Sequence, residues 1–159
     1  MLKLFRFLVL SVFVVLSACS KEDAAQDGLQ KISIVAPDGS VRTEYKVEIA
    51  DTKEKMYNGL MGRTSLNKDA GMLFDMALIP QDVDVALWMK DTLIPLDMIF
   101  ADENGKIFHI HENAQPNDTT PIYPPQRPQM VLEVNGGQSA EFGLQVGDTV
   151  NTDLLKKEK

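Results

Sequence analysis

Seven polar or aromatic residues that could carry chemistry lie among apolar runs in the middle of the chain. They are Arg63, Trp88, Lys90, Asp91, Thr92, Asp97 and Glu133. Charged side chains are costly to bury unless they are paired, so each charged member must meet a partner or face a ligand. In a binding site, the Trp88 ring would offer a flat surface beside the charged groups, as in a pocket for a saccharide or a small anion.

A structural role accounts for the same residues. A guanidinium group can hold a carboxylate through two parallel hydrogen bonds, so Arg63 could pin a helix end to a sheet through Asp97 or Glu133. In this interpretation Trp88 fills the core and Thr92 caps the following turn. The structural interpretation is favoured, because ion-pair networks of this kind also occur in ordinary folds.

Two of the carboxyl groups raise a hydrolase alternative. Asp97 and Glu133 could act as acid and base on an envelope glycan or peptide. Glycoside cleavage needs two carboxyl groups about 5–10 Å apart across a cleft. Spacing along the chain does not give that separation, so we assign no catalytic residue.

A metal alternative involves two histidines. His109 and His111 alternate on a predicted strand, which places both imidazoles on one face beside Glu112. The chain after residue 18 also holds seven methionines: Met56, Met61, Met72, Met76, Met89, Met98 and Met130. Thioether and imidazole ligands suit copper in an exported protein. Methionine also fills cores, so copper is an alternative and we assign no metal site.

The N-terminus has the layout of an export signal. Lys3 and Arg6 precede an apolar run over residues 7–16, and small residues follow it. The run is shorter than the roughly 20 residues that cross a bilayer. The sequence Leu16-Ser17-Ala18-Cys19 resembles a bacterial lipobox, in which the cysteine is lipidated with palmitate-like acyl chains. We expect residues 1–18 to be a lipoprotein signal peptide and Cys19 to be the lipidation site.

This interpretation predicts a location and a domain organisation. Ser20 follows the lipidated cysteine, and by resemblance to envelope lipoproteins of diderm bacteria it favours the outer membrane, facing the periplasm. Residues 19–31 are polar and are predicted to form a flexible tether. Residues 32–155 have the size of one domain, and residues 156–159 form a frayed tail. Cys19 is the only cysteine, so the mature chain has no disulfide or catalytic thiol.

The charge balance limits the partners. The chain has a formal net charge of −7, and removal of residues 1–18, which hold Lys3 and Arg6 but no acid, makes it −9. An acidic chain without a basic cluster is not suited to nucleic acid or to anionic headgroups. We therefore expect the membrane to be reached through the lipid anchor, with a small ligand or an envelope protein as the partner.

Short strands separated by turns make up most of the domain. Alternating apolar residues or apolar runs predict strands at residues 32–35, 41–50, 71–74, 83–89, 93–101, 106–111 and 129–134, with a last strand after Asp148. The turn signal at residues 37–40 (Pro-Asp-Gly-Ser) predicts that the first two strands form a hairpin. A helix is predicted to begin at residues 51–54 and to end at Gly62. Residues 113–128 contain five prolines and are predicted to be irregular. The predicted fold is mainly β (β-rich α+β), an antiparallel sandwich or distorted barrel with one or two short helices.

Six short blocks of the chain resemble the DUF192 family in order and spacing, from about residue 31 to 152. They are residues 59–63, 71–74, 88–92, 95–97, 131–134 and 147–148. Gly62 stands where the family usually has an aromatic residue, and Asp91 where it has asparagine. The resemblance implies a small secreted or lipid-anchored β-rich domain, and it implies no activity.

Together these observations predict a non-enzymatic, lipid-anchored envelope domain that binds a small ligand or a protein partner. The binding surface is expected around residues 88–92, Arg63 and Asp97, with the proline-rich segment beside it.

Overall fold

The computed structural model describes residues 28–156, which form one seven-stranded mixed β-sheet curled into half a barrel, with two short α-helices. The strands are β1 Gln30–Val35, β2 Val41–Ala50, β3 Ala70–Asp75, β4 Leu96–Ala101, β5 Ile107–Ala114, β6 Met130–Asn135 and β7 Thr149–Asn151. The helices are α1 Lys53–Asn58 and α2 Gln138–Glu141, and two 3-10 helices lie at Met76–Leu78 and Asp153–Lys156. The predicted mainly-β class is confirmed. The predicted lipidation site, Cys19, lies outside the described residues.

The sheet has the strand order β5-β4-β6-β3-β2-β1-β7. Its neighbouring strands are antiparallel except β2 and β3, which run parallel. The expectation of a purely antiparallel sheet is therefore wrong at this pair. A parallel pair needs a long crossover, and residues 51–69, including α1, supply it. An isolated bridge between Lys106 and Thr149 brings the start of β5 to β7, so the two edges of the sheet meet at one end.

Each face of the sheet carries its own apolar core, because side chains alternate along a strand. One face carries Met72 and Phe74 of β3 with Met98 of β4, and residues 85–89 pack over it. The other face carries Leu132 and Val134 of β6 with residues of β1, β2 and β7. None of the helices within residues 28–156 is long and apolar enough to cross a membrane.

Strand bounds follow the predicted pattern where the chain pairs with neighbours. The hairpin of β1 and β2 is confirmed, and β2 has the predicted bounds. The predicted strand at residues 83–89 is wrong, since within the described residues only Leu87 of this segment bridges, to Ile122 in the proline-rich segment. Prolines lack the amide proton that a β-ladder requires, so the proline-rich segment cannot pair regularly with residues 83–89. For the same reason β4 begins at Leu96, directly after Pro95.

Local residues and contacts with the rest of the fold determine where α1 and α2 begin and end. The Thr52 hydroxyl accepts a hydrogen bond from the Lys55 amide at 3.2 Å and begins α1. Helix α1 ends at Gly59, with φ of 47°, rather than at the predicted Gly62. Glycine adopts this backbone conformation without strain, so the chain leaves the helix one turn early. Helix α2 has no side-chain cap from its own N-cap residue, Gly137, which explains why its position was not predicted.

Candidate functional site

A cavity of about 350 Å³ opens between α1 and residues 78–88, over the face of the sheet that carries Met72 and Met98. Its walls are mainly apolar and come from Met56 of α1 and from Val85 and Leu87 of the covering segment. Concave apolar cavities with few polar groups are the usual form of a small-molecule site. This cavity is therefore the candidate functional site.

Glu133 forms part of the cavity floor. It lies in register between Met72 on β3 and Met98 on β4, and only 5% of its surface is exposed. Within residues 28–156 its carboxyl group makes no hydrogen bond or ion pair. Burial raises the pKa of Glu133 to about 8. At neutral pH the floor therefore carries a neutral carboxylic acid, which is a hydrogen-bond donor.

Gly59 allows the end of α1 to approach this floor closely. A Cβ at residue 59 would lie 3.3 Å from the Phe74 ring and 3.9 Å from Oε2 of Glu133. The residue also has a positive φ of 47°, which a side chain would strain. Glycine is needed here for both the helix end and the shape of the cavity.

Aromatic side chains form the rim of the cavity. Trp88 is 44% exposed, and the Tyr57 ring packs edge-on against it at a centroid distance of 6.3 Å. The ammonium group of Lys90 lies 5.9 Å from the Trp88 ring centroid, within the range of a cation–π contact. The interpretation that Trp88 fills the core is therefore wrong. An exposed aromatic ring at a cavity mouth instead offers a contact surface to a ligand.

Thr92 and Asp91 shape the loop behind Trp88. Thr92 is buried and lines the cavity, and its hydroxyl donates a hydrogen bond of 3.4 Å to the carbonyl of Lys90. Asp91 is exposed and has a positive φ of 55°, a conformation in which Asp and Asn are both enriched. Its carbonyl accepts a hydrogen bond from the Gly62 amide at 2.8 Å, which joins this loop to the segment after α1.

Asp97 lies away from the cavity and has a structural role. It opposes Val134 while its neighbour Met98 opposes Glu133, so the two carboxyl groups point to opposite faces of the sheet. Oδ1 of Asp97 accepts hydrogen bonds from the amides of Asn113 and Gly137, and Oδ2 accepts one from Ser139, at 2.7–2.9 Å. The predicted acid–base pair of Asp97 and Glu133 is therefore not formed.

Arg63 pairs with a carboxylate that the sequence analysis did not select. Its guanidinium contacts both carboxylate oxygens of Glu48 on β2, at 2.6 and 2.7 Å. Both side chains are partly exposed, and neither lines the cavity. The expected pairing with Asp97 or Glu133 is wrong, although the pair does join the segment after α1 to the sheet. Strand β2 carries charged residues at several positions, so the sequence did not indicate that Glu48 would be the partner of Arg63.

The two histidines lie on one face of β5, as predicted. His109 opposes Phe100 and His111 opposes Met98, and the His109 ring lies 5.4 Å from the Phe100 ring. Burial lowers the pKa of His109, and His111 adds a smaller lowering effect. Within residues 28–156, no group of three or more His, Cys, Asp or Glu residues is arranged to hold a metal. Copper binding stays a prediction.

Six of the seven methionines lie on the cavity side of the sheet. They are Met56, Met61, Met72, Met76, Met89 and Met98. Met130 belongs to the opposite core. Methionine side chains are flexible and polarisable, so they adapt to ligands of different shape. The fold brings these methionines together on one side of the sheet, because they come from α1, β3, β4 and the connecting segments.

Arg127 is a positioning residue that the sequence analysis missed. Its guanidinium donates hydrogen bonds to the carbonyls of Ile79, Pro80 and Val83, at 2.7, 3.1 and 2.7 Å. These carbonyls belong to the segment that forms one wall of the cavity. Arg127 therefore ties the proline-rich segment to the cavity wall, and only its position as a cation between prolines marked it in the sequence.

The sequence model of the DUF192 family, described as "Uncharacterized ACR", matches residues 33–152. The chain belongs to the DUF192 family. The match covers the whole sheet except the first residues of β1, so the cavity lies inside the family domain. The resemblance that the sequence blocks indicated is confirmed.

Two solved structures are similar to this one. A protein of unknown function from Novosphingobium aromaticivorans is 32% identical, with a TM-score of 0.70 over 77% of this chain and 84% of that chain. A protein from Sinorhizobium meliloti, described as a candidate transcription regulator, is 33% identical, with a TM-score of 0.72 over 78% of this chain and 93% of that chain. No curated protein matches the chain.

Proposed function

We propose that this DUF192 domain binds a small, mainly apolar ligand in the cavity between α1 and residues 78–88. The observation that carries the proposal is a cavity of about 350 Å³ with apolar walls, an aromatic rim and, on its floor, one acid that has no partner within residues 28–156. The proposed binding residues are Trp88, Thr92 and Glu133. Arg63 and Asp97 stabilise the domain around the site, and Lys90 and Asp91 shape its rim.

Burial of apolar ligand surface supplies the affinity. Each 100 Å² of apolar surface removed from water contributes about 2.5 kcal/mol before the entropic cost of association is subtracted. The methionines on the walls adjust to the ligand, and the exposed face of Trp88 covers it at the mouth. Among the described residues that line the cavity, no nucleophile is paired with a base, and we propose binding rather than catalysis.

We also propose that the domain is held at the cell envelope by a lipid on Cys19. The support is the Leu16-Ser17-Ala18-Cys19 sequence after a short apolar run, with Ser20 favouring the outer membrane. The net charge of −7 argues against transferring the regulator description of the Sinorhizobium protein to this chain, because nucleic-acid binding needs basic surface. The membrane would thus be reached through the anchor, and the cavity would serve an envelope molecule.

Trp88 is the only tryptophan in the chain, so its fluorescence reports directly on the cavity mouth. The purified protein is titrated with N-phenyl-1-naphthylamine, a neutral apolar dye that accepts excitation energy from tryptophan. We expect saturable energy transfer from Trp88 to the dye. Val85→Phe, which fills the cavity, should abolish it.

The matched control is Val146→Phe, because Val146 is 65% exposed and does not line the cavity. This variant should bind the dye as the unchanged protein does. Equal energy transfer in all three proteins would place the dye elsewhere and contradict the proposal.

The anchor is tested separately by labelling cells with radioactive palmitate. We expect label on the protein and its recovery in the membrane fraction, with both lost in Cys19→Ala. Label that persists in Cys19→Ala would contradict lipidation at this residue.

A further inference from the structure

Resting on the proposed function, we propose that the ligand is a neutral molecule with an apolar body and one hydrogen-bond acceptor, such as a ketone, ester or amide carbonyl. The acceptor receives a hydrogen bond from the Glu133 carboxyl group on the cavity floor. The chemistry of the floor therefore selects among apolar ligands of similar size.

Glu133 has no protein partner within residues 28–156. Its neighbours across the sheet are Met72 on β3 and Met98 on β4, which are apolar. Phe74 and the end of α1 at Gly59 also lie beside the carboxyl group. Within the described part of the chain, the carboxyl group is left unpaired beside an open cavity, and buried polar groups are normally hydrogen-bonded.

The described cavity lining offers Glu133 no buried compensating charge. Among the described residues that line the cavity, only Lys53 and Tyr57, both on α1, can titrate besides Glu133, and both are exposed. The covering segment at residues 78–88 contributes apolar residues to the lining. In the same row of the sheet, Glu48 lies two strands away on one side, and His111 lies two strands away on the other. Glu48 is already paired with Arg63.

Burial also decides the protonation state of Glu133. Burial alone raises the pKa of Glu133 to about 8, so near neutral pH the group offers an O–H donor rather than a negative charge. A carbonyl oxygen accepts this hydrogen bond with no change of charge. An ammonium group would first require Glu133 to lose its proton, and both charges would then need to be desolvated. Neutral acceptors are therefore preferred over organic cations.

The test uses three probes with one carbon skeleton: 4-phenylbutan-2-one, butylbenzene and 4-phenylbutan-2-amine. Their affinities are measured from chemical-shift changes in the NMR spectrum of the purified protein at about pH 6. A hydrogen bond is worth about 1 kcal/mol net, so the ketone should bind roughly fivefold to tenfold more tightly than butylbenzene. The amine should bind more weakly than the ketone.

Two variants separate the hydrogen bond from the shape of the site. Glu133→Gln keeps a donor at the same position and should keep the ketone preference at every pH. Glu133→Leu removes the donor and should make ketone and butylbenzene equivalent. In the unchanged protein the ketone preference should be lost by about pH 9.5, where Glu133 is ionised, and Glu133→Gln should show no such loss.

Equal affinity for ketone and butylbenzene in the unchanged protein would overturn the inference, and so would tighter binding of the amine. In both cases the proposed apolar site would still be supported if butylbenzene binds and Val85→Phe blocks that binding. Failure of all three probes to bind would overturn both proposals. Loss of the ketone preference in Glu133→Gln as well as in Glu133→Leu would also overturn the inference.

Discussion

The buried acid on the cavity floor predicts an unusual dependence of stability on pH. The pKa of Glu133 is about 8 in the folded protein, against an ordinary value of 4.5, because burial disfavours the charged form. Between these values the unfolded chain has lost the proton and the folded protein still holds it. Rising pH therefore favours unfolding across this window. The contribution of Glu133 to the free energy of unfolding is fully present below about pH 4.5 and is lost as pH rises through about 8.

The size of the effect follows from the width of the window. Each pH unit of difference between folded and unfolded pKa is worth about 1.36 kcal/mol, so the complete change is on the order of 5 kcal/mol. This is a large part of the stability of an ordinary domain. It should therefore be visible as a change in the free energy of unfolding.

The assay is urea unfolding of the purified protein, followed by circular dichroism at about pH 5, 6.5 and 8.5. Glu133→Gln keeps the size of the side chain but cannot ionise. We expect it to match the unchanged protein near pH 5 and to exceed its free energy of unfolding by several kcal/mol near pH 8.5. Glu103→Gln removes an exposed carboxyl group between β4 and β5 and is the matched control.

The comparison between variants removes the contributions of all other titrating groups. If the free energies of Glu133→Gln and the unchanged protein run parallel from pH 5 to 8.5, Glu133 ionises as an ordinary glutamate. Water or a cation would then reach the floor. The neutral donor on which the ligand preference depends would not exist.

Three further experiments test the roles assigned around the site. Asp97→Asn should lower the free energy of unfolding by about 3 kcal/mol, because the side-chain NH2 group of asparagine would face a backbone N–H donor. Dye affinity should be unchanged, and altered affinity of the folded variant would contradict the structural role. A double-mutant cycle of Arg63→Ala and Glu48→Ala should give a coupling below about 1 kcal/mol, since the pair is partly exposed, and a larger value would refute this. Arg127→Lys should speed hydrogen exchange of the amides in residues 79–83, because one ammonium group cannot span three carbonyls, and unchanged exchange would refute the tie.

Local chemistry predicted much of the sheet. The alternation in residues 41–50 and the Asp38-Gly39 turn predicted the first hairpin, because both depend on neighbours in the sequence. The strand-like apolar pattern at residues 83–89 predicted a strand that does not form, since within the described residues its bridge is to Ile122 in the proline-rich segment. A strand forms only where a neighbouring strand supplies its hydrogen-bond partners, and the sequence of one segment does not show which segment will lie beside it.

The candidate site shows the same division. Trp88, Thr92 and Glu133 were selected from sequence as residue types that are costly or unusual among apolar runs, and they meet at the cavity. Arg63 and Asp97 were selected by the same reasoning and lie elsewhere. Residue type thus indicated which side chains need a partner, but not which partner each would find.

The sequence by itself determined the class of the fold, its family and the set of polar residues that had to be satisfied, because these follow from composition, periodicity and short blocks. Only the tertiary structure decided that Glu133 has no partner among the described residues and lies over a cavity, and that Asp97 accepts hydrogen bonds from three backbone amides. The physical reason is the register of β4 against β6. Side chains alternate along a strand, so a difference of one residue sends two similar carboxyl groups to opposite faces of the sheet.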